Sequence, residues 1–405
     1  MSVATSSADA RRAVSGRVRG VVDRLRTGDW SGDAVPLVVV TGLLLLVGLV
    51  MSFSASVVDA AEGGDPFGIL RRQIAWAAIG VPLFFVVAGM EHRLWRRLSW
   101  GMMIVALVGL VAVLVPGLGV TRGGATRWIG VGPFVIQPSE LAKLASLLWL
   151  ADVYQRKRSR QRGGVDLKHL LVPALPLLAL EGALILAEPD LGTTIIVGVI
   201  VGLVLYIEGL PLRIFFTVGA GGALIATMAA LLADYRMDRI TGWLDPNADP
   251  GGTGYQLLQS LYAMGSGGWF GVGVGSSRGK WNFVPNPETD FVFAIIGEEL
   301  GLVGALVVVA LFTWLLVLGL RIARGAPDDF GRTVAFGITA WLVVQAMVNI
   351  ATVVGLLPIT GMTLPLVSAG GSSLVSTLVA LGILVSIARS DRADTTSSHG
   401  VLENR

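Results

Sequence analysis

The chain has 405 residues, of which 53% are hydrophobic and only 15% charged, and its mean hydropathy is +0.72. Soluble domains carry about 25% charged residues, so a water-soluble globular protein is excluded. The absence of cysteine excludes disulfides and thiolate metal sites as well. The net charge of +3 is small, and its placement along the chain says more than its size.

Residues 1–34 form a polar, basic N-terminal tail with arginines from Arg11 to Arg26, read as a solvated segment that enforces topology rather than one lying on anionic lipid. No cleavable signal peptide is apparent, because the first apolar run is long enough to stay as a span. Apolar blocks then recur near 35–53, 70–90, 99–117, 138–155, 168–187, 191–208, 211–233, 289–320, 330–356 and 366–388. A bilayer core takes about 20 apolar residues of helix. Only helices and closed barrels satisfy their backbone in hydrocarbon, and barrel strands would alternate apolar with polar residues. These runs are continuous. The expected fold is all-α: a polytopic membrane protein of about ten transmembrane helices, with a membrane domain at 35–390 and a short, disordered C-terminal tail at 391–405.

With the N-terminus inside, the tails and the loops on that side hold 22 of the 31 Lys and Arg residues, the other face holds 8, and Lys143 lies in a span. Positive charge collects on the cytoplasmic side, so both termini are expected there. One large loop, 234–288, falls on the outer face. Its Trp243, Tyr255, Tyr262, Trp269, Phe270, Trp281 and Phe283 are too many aromatics for a disordered linker. It is expected to lie on the bilayer surface and build a site.

Charges within or bordering spans are functional candidates by default. Glu140 and Lys143, in Gln137-Pro-Ser-Glu-Leu-Ala-Lys143, share a helix face; they either fasten the helix end as an ion pair or touch substrate. Arg122 and Arg127 lie just upstream, on the face where arginine is not needed for topology. Two Arg and a Lys converging there would suit a phosphate. In Glu188-Pro-Asp-Leu-Gly-Thr193 the favoured role is structural, with Asp190 capping the next helix. Glu181 is deep in a span and needs a partner that the sequence does not name. Asp290, in Thr289-Asp-Phe-Val-Phe293, is balanced between helix cap and general base; a carboxyl beside two rings would have a raised pKa. Glu298 and Glu299 follow deeper on the same helix. Gly370-Gly-Ser-Ser373 either presents N–H groups and hydroxyls to an anion or is a close-packing break. No nucleotide loop or histidine-based metal cluster appears.

Together these motifs resemble one family. Gln137–Lys143, Glu188–Thr193, Gly254-Tyr-Gln-Leu-Leu-Gln-Ser-Leu261, Gly267-Gly-Trp-Phe-Gly-Val-Gly-Val-Gly275, Thr289–Gly301 and Leu364–Ser373 are similar to the SEDS family (shape, elongation, division and sporulation), in order from about residue 38 to 389. The division branch is resembled more than the elongation branch, with actinobacterial features at 54–56 and from Lys280 on. Two departures stand out: the family's Gly-Ala-Arg-Arg-Trp reads Gly-Ala-Thr-Arg-Trp at 124–128, so only Arg127 carries over, and position 369 is Ala.

The resemblance implies a peptidoglycan glycosyltransferase that polymerises lipid II at the outer leaflet of the bacterial plasma membrane during septal wall synthesis, releasing undecaprenyl diphosphate. It implies Asp290 as the catalytic base, and Arg127, Glu140, Lys143, Lys280, Ser368, Ser372 and Ser373 as substrate-binding residues. No resident metal is implied. A divalent cation, magnesium or manganese, bridging the pyrophosphate is compatible with the chemistry. A class B penicillin-binding transpeptidase and other divisome membrane proteins are the implied partners. A lipid II flippase is the rival reading, but its pathway would need charges through the bilayer midplane, where only Glu181 is clearly deep. An elongation-type polymerase and a non-catalytic scaffold stand behind it.

Overall fold

The computed structural model describes residues 30, 32–61, 67–122, 125–131, 134–158, 167–231, 234–281, 284 and 287–402. The arginine arm at 11–26 lies outside the described residues. In chain order the helices are α1 (Ala34–Ala61), α2 (Gly68–Ala88), α3 (His92–Leu114), α4 (Pro138–Arg158), α5 (Leu167–Ala187), α6 (Leu191–Ile207) and α7 (Leu212–Leu231). They continue with α8 (Asp234–Leu244), α9 (Tyr255–Ser266), α10 (Val292–Arg324), α11 (Asp329–Val353) and α12 (Gly371–Leu402). By length and composition α1, α2, α3, α5, α10, α11 and α12 each contain a candidate membrane span, while α6 and α7 carry shorter apolar stretches. With α4 these are the ten segments read from the sequence. The protein is a multi-pass membrane protein.

α4 fails the apolarity test for a physical reason. At 21 residues it is about 31 Å long, enough to span, but Ser139, Glu140, Lys143, Ser146 and Asp152 are all on it and all buried. A helix this polar survives in lipid only when other helices wrap it, and α3, α6 and α11 do so. The lipid-facing side of the bundle lies elsewhere: on α3, Ile104, Val105, Val108 and Val111 are exposed apolar residues. Glu181 on α5 finds its partner on α4, where the Ser146 hydroxyl lies 2.5 Å from Glu181 Oε2.

The two ends of the bundle differ. At one end Arg389 stacks over Trp30, Arg321 faces Asp33 at 3.8 Å, and Arg158 pairs with Asp329 at 3.0 Å. The start of α1 and the inner part of α12 therefore share this arginine-rich end. The turn between α5 and α6, the segments around Asp290 and Met362, and residues 119–122, 125–131 and 134–137 gather at the other, the loop end.

Four features depart from the sequence reading. First, an antiparallel sheet precedes α4: β1 (Gly119–Arg122), β2 (Ala125–Val131) and β3 (Phe134–Ile136), in the order β1-β2-β3, with Val120 opposite Trp128 and Ile129 opposite Ile136. A search for span-length apolar runs is blind to strands of 4, 7 and 3 residues. Second, the loop at 234–288 carries α8 and α9, tied to the end of α11 by Trp243 Nε1 donating to Gly355 O at 2.9 Å and Ser260 Oγ to Val353 O at 2.9 Å.

Third, α10 starts at Val292 and breaks at Gly301, whose φ of 68° and ψ of −167° are open only to glycine. The break leaves backbone groups that hydrocarbon cannot satisfy. Residues 268–273 fill the gap: Leu302 and Val303 N–H donate to Gly268 and Trp269 O, and Val272 and Gly273 N–H donate to Glu298 and Glu299 O, at 2.9–3.1 Å. A Cβ on Gly271 would lie 2.1 Å from Glu299 O, so glycine is required there too. Fourth, the backbone of α12 stays helical to Leu402, past the point where a disordered tail is expected. No Gly or Pro interrupts residues 389–399, so the hydrogen-bond ladder runs on from the packed part of α12.

Candidate active site at the loop end

Asp290 sits in the turn that delivers the chain into α10. The helix-cap alternative fails: the N-cap residue is Phe291, and no side chain caps the helix. The backbone around Asp290 is instead held from neighbouring elements. Asn349 on α11 donates from Nδ2 to Asp290 O at 2.8 Å and to Met362 O at 2.6 Å. Ser368 Oγ donates to Thr289 O at 2.5 Å and accepts from Leu364 N at 2.8 Å, and Ala369 N donates to Glu288 O at 2.8 Å. The Asp290 segment is thus fixed through its backbone, and the Thr289 hydroxyl hydrogen-bonds the carboxyl.

Its electrostatics follow from that placement. Burial pushes the Asp290 pKa up, opposed first by Arg239 and then by the Thr289 hydroxyl and Arg127, and the result is about 6. The neighbouring Phe291 and Phe293 are both buried. A carboxyl half ionised near pH 6 is an effective base at neutral pH.

Arg127, on β2, reaches the turn between α5 and α6. Its Nε donates to Glu188 O at 3.1 Å, Nη2 donates to Pro189 O, and Nη1 lies 3.9 Å from Asp190 Oδ2. Asp190 caps α6, as expected, by accepting from Thr193 N at 3.0 Å. It also accepts from Gln137 Nε2 at 3.1 Å, while Gln137 N donates to Ser372 Oγ at 3.2 Å. Glu188 is fully buried, and both its carboxyl oxygens lack a hydrogen-bond partner among the described residues. Burial, reinforced by Asp190 and opposed by Arg127, raises its pKa to about 8. It is a neutral acid at pH 7.

Glu140 and Lys143 form a buried pair at 2.8 Å. Lys143 also donates to Gln345 Oε1 at 3.1 Å and stands 4.9 Å over the Trp341 ring, while Ser376 Oγ donates to Glu140 Oε2 at 3.1 Å. The pair joins α4, α11 and α12. Gln345 Nε2 carries the network to Thr363 O at 2.9 Å, and Thr363 Oγ1 lies 3.3 Å from Ser373 Oγ. A Cβ on Gly371 would lie 2.1 Å from the Trp76 ring, which favours the close-packing reading of the Gly-Gly-Ser-Ser segment.

Lys280 belongs to a different cluster. Its Nζ pairs with Glu299 at 3.1 Å and donates to Ser54 Oγ at 3.1 Å, while Glu298 accepts from Ser277 Oγ at 2.5 Å and Arg278 N at 2.8 Å. This cluster locks residues 277–280 to α1 and α10. Three residues of the site were missed from sequence: Arg239, Gln345 and Asn349. The last two are lone amides in an apolar span, four apart and on one face, and that is the signal that could have found them.

Comparison with known proteins decides the family. The profile of the cell cycle protein family that takes in FtsW, RodA and SpoVE matches residues 35–393. The chain belongs to this family. Stage V sporulation protein E of Bacillus subtilis is 43% identical over 358 residues, covering 88% of this chain and 97% of that protein. A Mycobacterium tuberculosis protein named probable peptidoglycan glycosyltransferase FtsW is 41% identical over 371 residues, covering 90% and 70%. Among solved structures, a chain of a peptidoglycan synthase complex that coordinates polymerization and crosslinking superposes with a TM-score of 0.72 at 32% identity, over 90% of this chain and 98% of that one. The rod shape determining protein RodA of Thermus thermophilus does so at 0.65 and 28% identity, over 90% and 97%. As a SEDS member the chain lies with the FtsW branch.

Proposed function

We propose that this protein is a peptidoglycan glycosyltransferase that polymerises lipid II at the outer leaflet during septal wall synthesis. The observation that carries the reading is Asp290, a carboxyl that does not cap its helix, with a pKa raised to about 6 and two arginines acting on it by their charge, at the loop end of a SEDS bundle. Asp290 removes the proton of the acceptor 4-hydroxyl, whose oxygen attacks the anomeric carbon of the donor. The bond to the diphosphate breaks, and undecaprenyl diphosphate leaves with the bonding electrons. The leaving group is already activated, so positioning, one base and nearby positive charge supply the catalysis.

The substrate-binding residues differ in role. Arg127 favours the ionised form of Asp290 by its charge and holds the Glu188–Asp190 turn. Glu140, Lys143, Ser372 and Ser373 form the wall behind it, Ser368 holds the Asp290 segment, and Lys280 anchors the outer loop. Among the described residues no group of three or more His, Asp or Glu side chains gathers to hold a metal. A magnesium or manganese ion bound to the substrate's diphosphate is compatible with this chemistry.

The arginine-rich end supports a cytoplasmic location for both termini and, with it, an outer position for Asp290. The match to a polymerization and crosslinking complex supports a class B penicillin-binding transpeptidase as partner, with other divisome membrane proteins at the septum. The test is Asp290→Asn in proteoliposomes supplied with lipid II, with glycan polymer and lipid II translocation both measured. The reading expects polymer to vanish and the thermal unfolding of the protein to be unchanged. Full polymerisation by the variant sinks it, and translocation without polymerisation by the wild type would establish the flippase.

A further inference from the structure

The cations of the loop end differ in how much of their charge is available. Lys143 is buried, with its ammonium shared among Glu140, Gln345 and the face of Trp341. Arg127 is engaged by two backbone carbonyls and lies near Asp190. Arg239, on α8, is exposed, and its Nη1 donates to one carbonyl, Ile359 O, at 3.3 Å.

The position of Arg239 relative to the base is set by Gly361. Arg239 Nη1 and Asp290 Oδ2 each lie 3.7 Å from the point that a Cβ on Gly361 would occupy. Gly361 has a φ of 72°, a conformation that disfavours a side chain. The carboxylate and the guanidinium therefore flank the same methyl-sized space beside Gly361, each at van der Waals distance from its centre.

The displacement dictates what must lie near such a space. The attacking oxygen is beside the base, and the reacting carbon is beside that oxygen. The bond to the first phosphoryl group breaks on the carbon's far side. The leaving diphosphate is thus only a few bond lengths from the base, within reach of whichever cation flanks it.

We propose that Arg239 binds the leaving diphosphate, its guanidinium taking two phosphoryl oxygens as the bond to the anomeric carbon breaks. The forming bond is between the acceptor oxygen and the anomeric carbon. The hydroxyl proton passes to Asp290 and then to water, and the bonding electrons leave on the phosphoryl oxygen, where Arg239 meets the charge. Arginine suits this role because its planar fork matches phosphate in a bidentate way, which lysine does not. The inference rests on the glycosyltransferase reading and adds a residue to it.

It also predicts a pH effect. The charged and polar groups facing Asp290 are Arg239 from α8, Arg127 from β2, and Thr289 and Glu288 from its own segment. Both arginines and Thr289 favour the carboxylate, while burial and Glu288 oppose it. Removing Arg239 raises the Asp290 pKa, so the acid side of the rate profile moves to higher pH.

The experiment compares the full-length wild type with Arg239→Gln and Arg239→Lys in proteoliposomes. Polymerisation of lipid II is followed from pH 5 to 8, with inhibition by geranylgeranyl diphosphate and by its monophosphate, and thermal unfolding checks the fold. The Gln variant is expected to keep its unfolding midpoint, to lose tenfold or more in kcat, and to need at least tenfold more diphosphate for half inhibition. Its acid limb should move up, and Lys should recover part of each change. If the Gln variant does not fold, the Lys variant decides: several-fold weaker inhibition by diphosphate supports the assignment. Wild-type inhibition and an unmoved acid limb in the folded variant overturn it. A wild type that makes no polymer overturns the enzyme reading instead, and direct binding of geranylgeranyl diphosphate to wild type and variant still decides Arg239.

Discussion

The two ends of the bundle use the same residue types to opposite effect. At the arginine-rich end Asp152, Asp328 and Asp329 are met by cations. Asp152 accepts from Arg96 Nε at 2.8 Å, Arg156 Nε at 2.8 Å and Trp100 Nε1 at 3.2 Å. Asp329 lies between Arg158 and Arg332, 3.0 Å from each. Burial works against ionised Asp328, but His92 at 3.2 Å and the Gly331 N–H at 2.7 Å hold its pKa below the usual carboxylate range. At the loop end burial wins, and Asp290 and Glu188 rise to about 6 and about 8. Paired carboxylates anchor a membrane protein. Carboxyls whose proton affinity is left raised mark where protons are exchanged.

Breaking this contrast at Asp290 should have the largest effect. Asp290→Asn is expected to lower polymerisation by about 10²–10⁴-fold, the span of one general base, in an assay where the unfolding temperature stays that of the wild type. Asp152→Ala attacks the other end. It leaves two arginines without their carboxylate, but both guanidinium groups stay solvated, so it should cost about 1–2 kcal/mol of stability, read by thermal unfolding in detergent. The acid limb of the rate profile should not move, and a moved limb would mean the two ends are coupled.

Glu188→Gln sharpens the comparison with a gain. The native pKa of Glu188 lies above its unfolded value, so the folded protein holds a proton that the unfolded chain releases. The resulting cost is absent below about pH 4.5 and grows as pH rises toward 8. The Gln variant should therefore be more stable by roughly 1–3 kcal/mol near pH 8, with the gain vanishing near pH 4.5. A gain independent of pH would contradict the account. Asn349→Ala is the mildest change: losing the bonds to Asp290 O and Met362 O should cost about 1–2 kcal/mol of stability, read by thermal unfolding, with a lower kcat because the Asp290 segment is no longer held.

Much of this was legible in the sequence because lipid is a demanding solvent. Continuous apolar runs, the 22-to-8 division of Lys and Arg, and the order of motifs gave the span layout and the family. The motif around Asp290 could be found, but whether it capped α10 could not, since a cap depends on where the helix begins. The Arg127 contacts depend on a sheet of short strands that bring β2 against the α5–α6 turn, and no run of span length announces it. Arg239 was counted only as an outer cation, because its proximity to Asp290 is created by Gly361 and the fold of α8. Lys280 and Lys143 look from sequence like available cations; the structure pairs one with Glu299 and the other with Glu140.

The pH dependence of wild-type polymerisation tests the raised Asp290 most directly. Initial rates of lipid II polymerisation at low substrate, from pH 4.5 to 8, report the ionisation of the free enzyme's base. The account predicts a rate that climbs tenfold per pH unit below about 6 and levels above it, with that limb absent from the residual activity of Asp290→Asn. A profile flat down to pH 4.5, or an acid limb near pH 6 that survives in Asp290→Asn, would contradict it.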